Sequence, residues 1–221
     1  MKLIFILSLL LVASVSAAQA FATLPSVDVS YANLFDEACA QQTKYQINPS
    51  WVSEINTRLP EFKAAWAKDG PVLLKTSEHI VGKNFREKQF LVSLSICSLP
   101  SMGDPLLVNM RYSLKSFSST PLSMDVTVGV IFHELLHRYL AGKIPANSKL
   151  LLKYKSEDET VTSHLHLLAL QKAVYLKLGR ADTLKRVVEK DQALPNKSYT
   201  RAWEIIDHRE SYKSFVEELR Q

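Results

Sequence analysis

The chain has 221 residues, 47% of them hydrophobic, with 27 Lys+Arg against 22 Asp+Glu and a formal net charge of +5. The basic residues are dispersed and no Lys/Arg run is interleaved with aromatic residues, so this mild balance does not call for a nucleic-acid partner. Both cysteines, Cys39 and Cys97, lie well beyond the N-terminal segment.

That segment, "MKLIFILSLLLVASVSAAQA", carries one lysine, an apolar run and then small residues ending in Ala18-Gln19-Ala20. It has the form of a cleaved secretory signal, and its apolar run is too short to span a membrane comfortably. Residues 1–20 are therefore expected to be removed. The remainder, 21–221, reads as a single secreted or periplasmic domain with no further membrane anchor. In an oxidising compartment the expected state of Cys39 and Cys97 is one disulfide, tying an N-terminal helix to a strand.

After a short loop, "YANLFDEACAQQ" has apolar residues at helical spacing, and "NPSWVSEINTRLPEFKAAWAKDG" reads as a helix stopped at Asp69-Gly70, with Pro60 a possible kink. "PVLLKTSEHIV" fits a further short helix. The period then changes. "KQFLVSLSIC" and "PLLVNMRYSLKSF" alternate like strands, and the turn formers of "SLPSMGD" between them predict an antiparallel hairpin. From Thr120 the pattern is helical to the end, with breaks at 142–148, 179–180 and 194–196. This order gives an α+β domain, mainly helical, with a small antiparallel sheet ahead of the later helices.

The first of those later helices carries the chemistry. Thr120 reads as an N-cap, Pro121 as the first helical residue and Gly142 as a stop, so 121–141 should form one helix of about six turns. Val128, Val130, Ile131, Phe132, Leu135, Leu136 and Leu140 make it apolar almost all round, which places it in the core. His133 and His137, four residues apart, project from one face and can share a metal ion. Glu134 leans toward the same side, within reach of a metal-bound water. Two imidazoles and a carboxylate in a core would be costly without such a partner.

The segment His133-Glu134-Leu135-Leu136-His137 resembles the motif of the HExxH zinc metallopeptidases, the zincins. The resemblance covers at most residues 85–175. It implies a zincin-like fold, a bound Zn2+, a peptide or protein substrate, and Glu134 as general base. It also implies a third ligand from a later helix, and "KSEDETVTSHLHLLALQKAVYLKLG" supplies candidates. Ser156 and Glu159 read as a capping box opening that helix. Glu157 and His164 both face its apolar stripe, whereas His166 falls on the opposite, polar face and is expected to be solvated. Glu157 is the first choice because its distance from His137 is similar to that of the glutamate ligand in gluzincins; His164 is the alternative. Val161 and Ser156 depart from the residues usual around that glutamate.

In zincins an edge strand before the motif helix pairs with the substrate, and "PLLVNMRYSLKSF" stands in that position. A histidine or tyrosine from beyond the ligands often stabilises the oxyanion, which makes His208 and Tyr212 candidates, although their segment also reads as a solvated amphipathic helix. Two function classes follow. One is a zinc peptidase; the other is an inactive zincin-fold binding or scaffold protein whose metal is structural and fully ligated by protein.

Overall fold

The computed structural model describes residues 23–221, so the expected signal segment, 1–20, lies outside the described residues. The described residues open with a strand that the sequence pattern did not suggest, β1 (Ser26–Tyr31), followed by α1 (Asn33–Thr43) and α2 (Pro49–Val81). Asn48 caps α2 by accepting a hydrogen bond from Ser50 N at 2.9 Å, and Pro49 occupies the first turn, where its missing N–H costs nothing.

α2 runs through the stop expected at Asp69-Gly70, and one helix replaces the two that the sequence suggested. Pro60 and Pro71 both sit on its exposed side, where water can take up the freed carbonyls. Gly70 is buried because a side chain there would collide with the Trp66 ring, which folds back over the backbone.

The sheet is mixed rather than antiparallel. Its strands are ordered β1-β2-β4-β3, with β2 at Gln89–Ser95, β3 at Met102–Gly103 and β4 at Leu106–Asn109. β1 pairs parallel with β2, and β2 pairs parallel with β4. Only β3 and β4 run antiparallel. The expected hairpin between the two strand-like segments is thus replaced by a double reversal. The stretch between them supplies its own short strand, β3, which takes the outer position that had been expected of "PLLVNMRYSLKSF". β4 is interior, and that segment leaves the sheet after Asn109, passing into a single 3-10 turn at Arg111–Ser113.

The Cys39–Cys97 disulfide forms, joining α1 to the end of β2. Beside it the buried carboxylate of Asp36 accepts hydrogen bonds from Ser95 Oγ, from Ile96 N at 2.9 Å and from Cys97 N at 3.2 Å. Asn109 then holds the following loop, donating to the Leu99 carbonyl at 2.6 Å. These bonds fix the path into β3.

The motif helix, α3, spans Met124–Leu140 and starts three residues later than expected. Leu122 N is committed to the Tyr112 carbonyl at 2.8 Å, which holds Pro121 and Leu122 in the preceding loop and leaves Ser123 at the N-cap position. α3 packs against α2 and against α5 (Glu159–Lys177), reached through the short α4 (Lys149–Lys153). Asp158, not Ser156, caps α5, accepting from Val161 N at 2.8 Å.

α6 (Ala181–Gln192), α7 (Ser198–Glu204) with a π-helical turn at Ile205–Arg209, and α8 (Tyr212–Arg220) complete the chain. The tail is amphipathic but docked: Trp203, Ile205, Ile206, Phe215 and Leu219 are all buried. One core, running from the sheet through α2, α3 and α5 to α8, makes an α+β domain. Among the described residues no helix is long and apolar enough to cross a membrane.

Candidate metal centre

His133, Glu134 and His137 lie on one stretch of α3, the first two buried and His137 half-buried. His133 is 6% and Glu134 4% exposed. From α5, His164 enters the same space at 8% exposure. The potential ligand atoms of His133, His137 and His164 all lie within 4.8 Å of one another. Their ring centroids are 4.8 to 5.3 Å apart pairwise. The structure therefore brings three histidines together, and the residue from the later helix is His164.

Glu157 is not in this group. It precedes the cap of α5, where the guanidinium of Arg201 on α7 holds its carboxylate with contacts of 2.5 to 3.1 Å. That guanidinium also keeps the Glu157 carboxyl below its ordinary range. A carboxylate so engaged in a surface ion pair has little reason to turn inward.

For two of the rings, those of His133 and His164, the hydrogen-bond partners fix which nitrogen is unprotonated. His133 Nδ1 lies 3.3 Å from Gln171 Oε1, and the Gln171 amide donates to the Gly129 carbonyl at 3.4 Å. With its N–H side so engaged, Gln171 offers an acceptor, so His133 Nδ1 carries the proton. His133 Nε2 is then a buried lone pair with no hydrogen-bond partner. For His164, Nδ1 lies 2.6 Å from the Thr160 carbonyl, which only accepts, so Nδ1 again bears the hydrogen and Nε2 is an unprotonated acceptor. Other buried polar atoms lack partners too, Tyr175 Oη and His166 Nδ1 among them, but none stands among converging bare nitrogens.

Burial, reinforced by the neighbouring imidazoles, pushes His133 well below its ordinary value and His137 down to about 4; burial also lowers His164. All three are neutral near pH 7, the form that binds a metal. Burial raises Glu134 to about 8, so without a cation nearby its carboxyl holds a proton. The three imidazoles could hold a metal ion: they are neutral, nitrogen-donating and close together, and one of their lone pairs is a buried orphan.

The group opens into a cleft of about 870 Å³. Glu134, His137 and His164 line its floor, Met102 and Gly103 of β3 one wall, and Leu194, Pro195, Asn196 and Tyr199 the other. Gly103 lies so close to α3 that a Cβ on it would be 2.5 Å from the His137 Cβ. Only glycine allows the outer strand to approach the motif this closely.

Tyr199 is the site residue that sequence reasoning left unassigned. Its hydroxyl is 3.0 Å from His164 Nε2, and its ring stands 4.6 Å from that of His164. The signal was weak: one tyrosine among several polar and aromatic residues of the tail. His208 is exposed, and Tyr212 stands over Lys172 at the opposite end of α5; neither lines the cleft.

His166, expected to be solvated, is fully buried, with Nε2 2.9 Å from Glu218 on α8. α5 is enclosed on nearly every side, so it has no polar face at that level. No family model, no curated protein and no solved structure matches the chain.

Proposed function

We propose that the protein is an exported zinc-dependent peptidase of the HExxH type, with His133, His137 and His164 as the metal ligands and Glu134 as general base. The observation that carries this reading is the buried, partnerless lone pair of His133 Nε2, in a ring grouped with two further imidazoles that line an open cleft beside a buried glutamate. Three protein donors leave a coordination position for water or substrate, the arrangement of catalytic rather than structural zinc. Zinc bound there supplies Lewis acidity, making a water acidic and polarising a carbonyl.

The chain's own residues do the rest. Glu134 is poised by burial: a dication nearby favours its carboxylate, which takes a proton from the attacking water and delivers it to the leaving amine. Gln171 and the Thr160 carbonyl hold His133 and His164 in the tautomers that present Nε2. β3, the outer strand, borders the cleft and offers backbone to an extended peptide. The disulfide and the leader-like N-terminus support export.

The test is Glu134→Gln, which keeps the side-chain volume and the histidines. Zinc binding should match the parent, while hydrolysis of a broad peptide library, followed by mass spectrometry, should fall at least 10²-fold. Unchanged cleavage refutes the mechanism. Absence of cleavage by the fully zinc-loaded parent favours a binding protein with a structural metal.

A further inference from the structure

The Tyr199 hydroxyl and a metal ion compete for a single lone pair. His164 Nδ1 is committed to the Thr160 carbonyl at 2.6 Å and is approached by Ser163 Oγ at 3.1 Å, so the ring's only other polar atom is Nε2. That atom faces Tyr199 Oη at 3.0 Å. A neutral imidazole nitrogen has one lone pair in the ring plane, and it can accept an O–H or bind a cation, not both. His133 offers the contrast, because its Nε2 has no hydrogen-bond partner at all. One ligand of the candidate centre is thus open and another is latched.

We propose that Tyr199 is a metal-released latch: its O–H holds His164 Nε2 in the metal-free chain, and zinc displaces it, freeing a donor at the cleft wall for the substrate's carbonyl oxygen. The inference rests on the proposed zinc site and adds a residue and an order of events to it. Three features carry it further.

First, the ring is already placed without the latch. The short bond from His164 Nδ1 to the Thr160 carbonyl turns the side chain from α5 toward His133 and His137, so losing the Tyr199 hydroxyl removes a competitor and not the ring's orientation. Second, release creates a need. A half-buried hydroxyl that loses its acceptor is worse off until it finds another, and the acceptor at hand in an occupied cleft is a peptide carbonyl. Third, the placement fits. Tyr199 and Glu134 both line the cleft, so the donor and the base face one bound substrate. The O–H bond is not broken; only its acceptor changes.

The experiment compares the parent with Tyr199→Phe, which removes one oxygen and keeps the ring against His164 and His133. Zinc affinity is read by competition with a chromophoric chelator, and the His164 ring nitrogens by NMR with and without zinc. If Tyr199 competes with the ion, its loss should tighten zinc binding about fivefold, the worth of one ordinary hydrogen bond. The Nε2 resonance of the metal-free protein should shift on substitution and that of the zinc-loaded protein should not. With a cleaved peptide from the library, kcat should fall about 10²-fold, as for loss of one oxyanion donor, with KM little changed. Zinc binding that weakens or stays unchanged in Tyr199→Phe overturns the latch, whatever is found for catalysis. Tighter zinc binding with no peptide ever cleaved leaves the latch standing and removes the peptidase reading. Tighter binding with an unchanged kcat removes the donor role.

Discussion

Gln171 is a buried amide whose replacement should lower both folding stability and metal affinity, each by an amount that can be measured separately. Its side chain is fully buried between α3 and α5, with Oε1 accepting from His133 Nδ1 at 3.3 Å and Nε2 donating to the Gly129 carbonyl at 3.4 Å. Gln171→Leu preserves bulk and removes both contacts. The His133 N–H then has no acceptor, which costs roughly 1–3 kcal/mol as a buried unsatisfied donor, partly offset because leucine is cheaper to bury than an amide. We therefore expect a net loss of about 1–2 kcal/mol of stability in the metal-free protein. Freed from its acceptor, the ring can rotate or change tautomer, and zinc affinity should fall by about 10- to 100-fold, as for loss of a residue supporting a metal ligand. The assay is chelator competition for affinity and thermal melts with and without EDTA for stability. Because stabilisation of the folded form by zinc grows with the logarithm of its affinity, the variant should lose stability in zinc as well as in EDTA, and more in zinc. Parent-like zinc affinity in a folded Gln171→Leu protein would show that His133 Nδ1–H is not what orients the ligand.

Two further outcomes follow from the same geometry. Gly103→Ala places a methyl group against His137, so β3 must shift outward; we expect a loss of about 1–3 kcal/mol from overpacking, read by denaturant melts, and weaker zinc binding, whereas parent-like values would mean that β3 yields freely. The metal-free protein should be most stable near neutral pH. His133, His137 and His164 all titrate below 6.5 when folded, so the unfolded chain takes up more protons and stability falls as pH drops through 6.5 toward 4. Glu134, raised to about 8, acts in the opposite sense: the folded state keeps a proton that the unfolded state releases above 4.5, so its contribution is lost as pH rises toward 8. Below 6.5 three groups outweigh one. Melts in EDTA that show no acid loss between pH 6.5 and 4 would contradict the neutral-histidine core.

Much of the site was legible because the motif is local. The spacing of His133 and His137 and the apolar surroundings in "VIFHELLH" need only the helical period to be read, and the Cys39–Cys97 bridge needs only counting. Most of what the sequence hid depends on distant partners. His166 looked solvated because its partner, Glu218, lies 52 residues away on α8. Glu157 looked free for a metal because Arg201 comes 44 residues later. The parallel pairing of β2 with β4 was hidden by β1, a six-residue strand early in the chain, and by β3, only two residues long. α2 looked like two helices because Pro60, Pro71 and Gly70 each break helices in general; here the prolines face water and the glycine is covered by Trp66.

Three histidines, one of them from α5, are proposed to hold one catalytic zinc. The measurement that tests this proposal most directly is metal analysis and chelator-competition titration of the purified chain beside His164→Ala and Glu157→Ala. The account predicts about one zinc per chain in the parent, loss of that zinc in His164→Ala, and near-parental affinity in Glu157→Ala, whose carboxylate is occupied by Arg201. A parent that binds no zinc, or a His164→Ala chain that keeps it while Glu157→Ala loses it, would contradict the account.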